Sequence, residues 1–172
     1  MILGHVTNTF MLHSVGSHFL KDKLPPLPPV LAGALAPDIL DKAIMVTGLI
    51  ESYPGRGLFH SLVTLTVLAV PAIRAFPARA KLVGAVYLGA LVHLAQDTPD
   101  LSVILWPLAG PWEPYPYMSL VEKLVNLYIG MNPLQAWLGE MAGAIYCAGY
   151  FVTRILKWRA KKKNDVSLVE VE

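Results

Sequence analysis

The sequence predicts an all-α fold, a polytopic bundle of membrane helices that includes short, partly re-entrant ones, and three observations lead there. Hydrophobic residues make up 55% of the 172-residue chain and charged residues only 15%, where an average soluble domain carries about 25% charged residues. Mean hydropathy is +0.51, so the surface cannot all face water. The 13 Gly and 14 Pro cut the chain into apolar runs of helical length, and stretches of β-branched residues suited to strands are hard to find. The length suits one domain and not two. We read residues 1–156 as a single helical membrane domain and 157–172 as a tail.

The first twenty residues carry no Lys, Arg, Asp or Glu. Thr7, Asn8, Thr9, Ser14, Ser17 and three histidines leave them half polar, which predicts a helix with one lipid face and one polar face. They lack the basic start and the cleavage pattern of a removable signal. Leu24 to Val30, LPPLPPV, predicts a rigid extended connector. Val30 to Ala36 predicts a short apolar helix that stops at Pro37-Asp38, where a new helix begins. Gly57–Ile73 and Leu82–Gln96 are free of charge but short of the roughly 20 residues a span needs. Such helices are tolerated when an end lies inside protein or lines a wet cavity.

Trp106, Trp112, Tyr115 and Tyr117 fall in a Pro-rich stretch, as at a membrane–water boundary, and Ser119–Met131 predicts an amphipathic interfacial helix. Leu134–Ile155 is the best candidate span. It holds one carboxylate, Glu140, and the small residues Gly139, Gly143, Ala144 and Gly149, which let membrane helices approach closely. After Leu156 the chain becomes basic and then acidic, a cytoplasmic tail expected to be disordered.

Lys and Arg set the expected orientation. Lys157, Arg159, Lys161, Lys162 and Lys163 place the C-terminus in the cytoplasm, with Arg74, Arg79 and Lys81, and Lys21 and Lys23, on the same side. Tracing the helices from these anchors puts His5, Asp38, His60, His93, Asp97 and the Glu140 end of the last helix together on the opposite, extracytoplasmic side. Net charge is +2, with its excess at the C-terminus, so nucleic acid is not an expected partner. Cys147 is the one cysteine and cannot form an internal disulfide.

These polar residues carry whatever chemistry the chain performs. His93 and Asp97 form H-x-x-x-D, an i,i+4 pair on one helix face, able to hold a metal together or to let the carboxylate orient the imidazole. A His and an Asp left uncompensated in VYLGALVHLAQD would be costly. Asp38 and Asp41 follow Pro37 and read either as helix-capping carboxylates or as a ligand, Asp38, with Asp41 a second ligand or an ion-pair partner of Lys42 or Arg56. His60 stands in GRGLFHS beside Arg56, which is placed to bind an anion such as phosphate. His5 is a further ligand candidate, whereas His13 and His18 read as structural, with His13 the possible exception. Glu140 must be paired, protonated or coordinated in so apolar a segment, and is a candidate acid or base. Three His and several carboxylates suit a borderline-hard divalent ion, Zn²⁺ first and Mn²⁺ second. G-x-S-x-G, G-x-x-x-x-G-K-[ST] and H-E-x-x-H are absent from the sequence, which disfavours serine hydrolase, nucleotide-binding and zincin classes.

In order along the chain stand Gly4-His5, Pro37-Asp38 with Asp41-Lys42, Gly55-Arg56 with His60-Ser61, His93 with Asp97, and Leu105-Trp106-Pro107. This ordered set resembles the predicted membrane-bound metal-dependent hydrolases, the LexA-regulated, YdjM-like inner-membrane proteins. The H-x-x-x-D spacing is also distantly similar to that of zinc-dependent phospholipase C. Phe59-His60-Ser61 departs from the Thr-His-Ser of many family members, and Glu140 lacks an H-x-x-x-E partner. The resemblance implies an integral membrane protein whose His and Asp side chains bind metal. The expected function is metal-dependent hydrolysis of a phosphoester in a lipid or lipid-linked substrate at the bilayer. His5, Asp38, Asp41, His60, His93 and Asp97 are the metal candidates, and Asp97, Arg56 and Glu140 the catalytic ones. The alternative is a metal-binding or transport membrane protein without hydrolysis.

Overall fold

The computed structural model describes residues 2–20, 23–97, 100–112, 121–122 and 133–169, with backbone alone for 2, 133–139 and 163–169. The fold is all-α, and no strand occurs among the described residues. Its helices are α1 (Ile2–Leu20), α2 (Leu27–Thr47), α3 (Leu62–Ala75), α4 (Ala80–Gln96), α5 (Leu101–Ile104) and α6 (Pro133–Val169). Single 3₁₀ turns, Leu58–His60 and Pro77–Arg79, lead into α3 and α4. The helix expected over Ser119–Met131 lies outside the described residues except for Val121 and Glu122, which are helical, and Tyr115 and Tyr117 lie outside them altogether.

Two helices run longer than their sequence suggested. Helix α2 starts at Leu27 and passes through Pro37 without a break, so the extended connector ends at Pro26 and no new helix begins at Pro37. Pro28 and Pro29 occupy the first turn, where their missing N–H groups have no intrahelical partner to lose. Asp38 and Asp41 are therefore interior residues of one helix and cap nothing. Helix α6 continues through the basic run to Val169, where hydropathy had marked the start of a tail at 157. Apolar character ends there, but Lys, Arg and Ala are good helix formers and carry the backbone onward. Lys162 lies over the Trp158 ring and Arg154 over that of Tyr150.

Among the described residues one helical stretch is long and apolar enough to cross a membrane: Pro77–Gln96, the 3₁₀ turn joined to α4, 20 residues. The 3₁₀ turn lengthens what sequence alone marked as a short segment. Leu62–Ala75 is a shorter apolar helix. Leu3, Leu12, Val15 and Phe19 on α1 and Val67 and Leu68 on α3 are exposed, the pattern of helices that meet an apolar medium on one side.

Helix α2 crosses α4 with almost no side chain between them. A Cβ on Gly33 would strike the Val86 carbonyl, and one on Gly89 the Val30 carbonyl. Ala34, Ala85 and Ala90 are buried around this crossing. The chain runs away from one end of the bundle along α1, returns along α2, leaves along α3 and returns along α4. The α1–α2 and α3–α4 connections, with Lys23, Arg74, Arg79 and Lys81, thus lie at one end, while His5, Asp38, His60, His93 and Asp97 meet toward the other. Helix α6 lies along α1. Gly143 abuts Thr7 and Asn8, and Phe10 contacts the rings of Tyr146, Tyr150 and Phe151.

Candidate metal centre

Asp41 is fully buried on α2. Its carboxylate accepts from the Tyr53 hydroxyl at 2.5 Å, from the backbone N–H of Gly57 (2.8 Å), Phe59 (3.0 Å) and His60 (3.2 Å), and from His60 Nδ1 at 2.6 Å. One carboxylate thereby winds the 53–60 segment around itself. Gly57 is required because a Cβ there would strike the Tyr53 ring. The Tyr53 hydroxyl also accepts from the Leu58 N–H at 2.6 Å. Burial and the bond to Asp41 push the Tyr53 phenol above its ordinary pKa. Ser61 caps α3, accepting from Thr64 N–H, and donates to the Trp106 carbonyl at 2.5 Å, which ties the segment to the chain after α5. Trp106 and Trp112 stack at 4.8 Å, and Tyr53 meets Trp112 edge-on.

With Nδ1–H donated to Asp41, His60 aims Nε2 inward. His93 is arranged in the same way by a different group: Nδ1 donates to the Ala34 carbonyl of α2 at 2.7 Å. A proline within a helix removes one N–H and tilts nearby carbonyls off the axis, and Pro37 sits three residues after Ala34. The two Nε2 atoms then face each other at 3.2 Å. With both Nδ1 protons committed, two Nε2 atoms this close share a positive charge between them, a metal ion or a proton on one ring.

Further groups point at the same place. His5 Nε2 lies 3.4 Å from Asp97 Oδ1 and 3.9 Å from Asp38 Oδ2. His60 Nε2 lies 3.3 Å from Asp97 Oδ2 and 3.7 Å from Asp38 Oδ1, and His93 Nε2 lies 3.6 Å from Asp97 Oδ2. Asp97 Oδ2 is buried with no well-formed hydrogen bond, as is His5 Nδ1. The donors form two overlapping groups, His5–Asp38–His93 and His60–His93–Asp97, each compact enough to hold a metal ion. Imidazoles oriented by a carboxylate or a carbonyl through the opposite ring nitrogen are the usual surroundings of a bound metal, so the residues fit a divalent cation.

The electrostatics favour ionised carboxylates. Burial raises the Asp97 pKa, but bonds to His5 and His60 and the Arg56 charge outweigh it and hold the group well below the usual carboxylate range. Burial lowers that of His60, but its bonds to Asp41 and Asp97 raise it above the ordinary imidazole value. Arg56 donates to Asp97 Oδ1 at 3.1 Å, and Lys42 to Asp38 Oδ1 at 2.7 Å. Beside the cluster a partly open cleft is lined by Arg56, Asp100, His60 and Asp97 and by Leu94, Val103 and Ile104. It has one polar side reaching His60 and one apolar wall.

The structure thus joins His5, Asp38, His60, His93 and Asp97, with Arg56 at the edge. Asp41 is not among them. Its oxygens are taken by the 53–60 segment, so it is neither a facing ligand nor the partner of Lys42 or Arg56, which bind Asp38 and Asp97. Glu140 packs against Gly4, next to His5 in sequence, but belongs to neither donor group. His13 bonds the Pro25 carbonyl and His18 that of Ser14, structural roles both. Sequence reasoning missed Tyr53, whose place in a polar loop carries no periodic signal, and saw Lys42 only as a partner of Asp41.

Apolar helices that gather buried histidines and carboxylates at one end define an all-α protein with a candidate cation site. The sequence pattern of one family, described as the YdjM inner membrane protein family, matches residues 1–164. The chain belongs to that family. No curated protein and no solved structure matches it.

Proposed function

We propose that this protein is a polytopic inner-membrane hydrolase that uses a divalent metal, Zn²⁺ or else Mn²⁺, to cleave a phosphoester in a lipid or lipid-linked substrate. The observation that carries the reading is the pair of Nε2 lone pairs turned on one point by fixed Nδ1 bonds, with Asp97 and Asp38 beside them. His5, Asp38, His60, His93 and Asp97 hold the ion. When bound, it supplies Lewis acidity toward a phosphoryl oxygen and makes nearby water more acidic.

The chain's own residues do the rest. Arg56 is half exposed at the cleft, and its guanidinium suits two oxygens of a phosphate. Leu94, Val103 and Ile104 line the cleft with apolar surface that suits acyl or isoprenoid chain and limits water. Asp97 faces the Nε2 atoms of His5, His60 and His93 and lines the cleft. Glu140 has no part in this scheme. The basic connections Arg74–Lys81 and Lys23, with the basic end of α6, are assigned to the cytoplasm, which leaves the cluster on the outer face.

The test is metal analysis of detergent-purified protein combined with hydrolysis of phospholipid and lipid-linked phosphoesters. The expected result is stoichiometric metal and turnover, both lost in His93→Ala and Asp97→Ala. Undiminished turnover in those variants would end the catalytic reading. Metal uptake into vesicles without turnover would support carriage of the ion instead.

A further inference from the structure

The two overlapping donor groups raise the question of how many ions the cluster takes. We infer that it takes one, and that the Lys42 ammonium fills the place beside Asp38 where a two-ion centre would carry its second cation. This rests on the reading of the cluster as a metal centre and specifies its occupancy.

Donor supply decides first. His93 has only Nε2 to offer, since Nδ1 is bound to the Ala34 carbonyl, and His60 has only Nε2, since Nδ1 is bound to Asp41. His5 directs Nε2 toward both Asp38 and Asp97. Each facing carboxylate has one oxygen engaged by a cation of the chain, Asp38 Oδ1 by Lys42 and Asp97 Oδ1 by Arg56. With one ligand atom counted from each ring, the atoms free to bind are three imidazole nitrogens and two carboxylate oxygens. Hydrolytic zinc sites use about three protein donors per ion, so this set is ample for one ion and short for two.

Charge decides in the same direction. Asp38, Asp41 and Asp97 bring three negative charges to the cluster, and Lys42 and Arg56 two positive ones. The residual single negative charge is reversed to a single positive one by one dication. A second dication would leave an excess of three in a buried site, a severe electrostatic penalty. Lys42 is itself mostly buried, with 17% of its side chain exposed. Its ammonium is held 2.7 Å from an oxygen that also lies 3.7 Å from His60 Nε2. A cation already sits between Asp38 and the cluster edge, supplied by the chain one turn along α2.

The experiment counts ions. Wild type, Lys42→Arg and Lys42→Gln are purified in detergent, equilibrated with excess Mn²⁺ or Zn²⁺, desalted and analysed for metal per chain, and the Mn²⁺ forms are examined by electron paramagnetic resonance. Wild type and Lys42→Arg are expected to hold one ion per chain, with the spectrum of an isolated Mn²⁺. Lys42→Gln, which removes the charge and keeps much of the length, is expected to take up a second equivalent and show exchange coupling between two Mn²⁺. Two equivalents in wild type overturn the inference, as does a single equivalent in folded Lys42→Gln. If Lys42→Gln does not fold, the wild-type spectrum still decides the ion count. Wild type that binds no metal at all fails differently, because it removes the metal centre itself rather than its count.

Discussion

The α2–α4 seam and the α1–α6 seam both bring polar groups into an apolar chain, and they dispose of them in opposite ways. Between α1 and α6 the polar contacts are single and scattered. Tyr146 donates to Ser14 at 2.9 Å, and Gly143 leaves room for Thr7 and Asn8. Each bond is local and closes on itself, as in ordinary joining of membrane helices. Between α2 and α4 the two glycines let backbones touch, and the side chains just beyond the crossing converge on one point. There His93 spends its Nδ1 proton on the other helix's main chain and keeps its reactive nitrogen free. Polar groups that satisfy one another hold helices together; polar groups arranged so that some remain unsatisfied in common form a site.

The sharpest way to break this contrast is to delete a converging imidazole. His60→Ala or His93→Ala is expected to abolish stoichiometric metal binding while leaving the detergent-purified protein folded by circular dichroism. Retention of a full equivalent in either would show that convergence is incidental. Gly89→Leu attacks the crossing itself. Overpacking there is expected to cost about 3 kcal/mol, visible as lower thermal stability together with lost metal, whereas Gly149→Leu should do neither, since nothing lies within 4 Å of a Cβ at Gly149.

Acid gives a graded version of the first test. The His60 pKa is raised, so a proton competes with metal at higher pH than for an ordinary imidazole. The deprotonated ring is what binds, so affinity is expected to fall as pH drops through that raised value, by about tenfold per pH unit for one displaced proton. Titrations by calorimetry between neutral and mildly acidic pH would reveal it, and a flat profile would mean His60 is not a ligand. Asp41→Asn should weaken metal about 10- to 100-fold without removing it, the usual result of disturbing the partner of a ligand. A total loss would promote Asp41 to ligand. Smallest is Tyr146→Phe, expected to cost about 0.6 kcal/mol of stability and to leave metal affinity unchanged.

Much of this was legible because membrane chains make polar residues conspicuous. The i,i+4 spacing of His93 and Asp97 survives intact on α4 and its cap, and the distribution of Lys and Arg was enough to gather His5, Asp38, His60, His93 and Asp97 at one end. What could not be read depends on contacts distant in sequence. Asp38 and Asp41 look equivalent as letters, one turn apart on α2. Only the return of residues 53–60 saturates one of them and leaves the other to Lys42 and the imidazoles. Pro37 signals a break in any local reading, yet it is accommodated within α2. Glu140 was conspicuous for the same reason as the cluster residues, yet on α6 it packs against Gly4 and joins neither donor group.

Every donor in the cluster falls between His5 and Asp97. Because synthesis proceeds from the N-terminus, all of them are made before any residue of α6. The helix made last therefore serves as a brace against α1 and contributes no donor to the cluster.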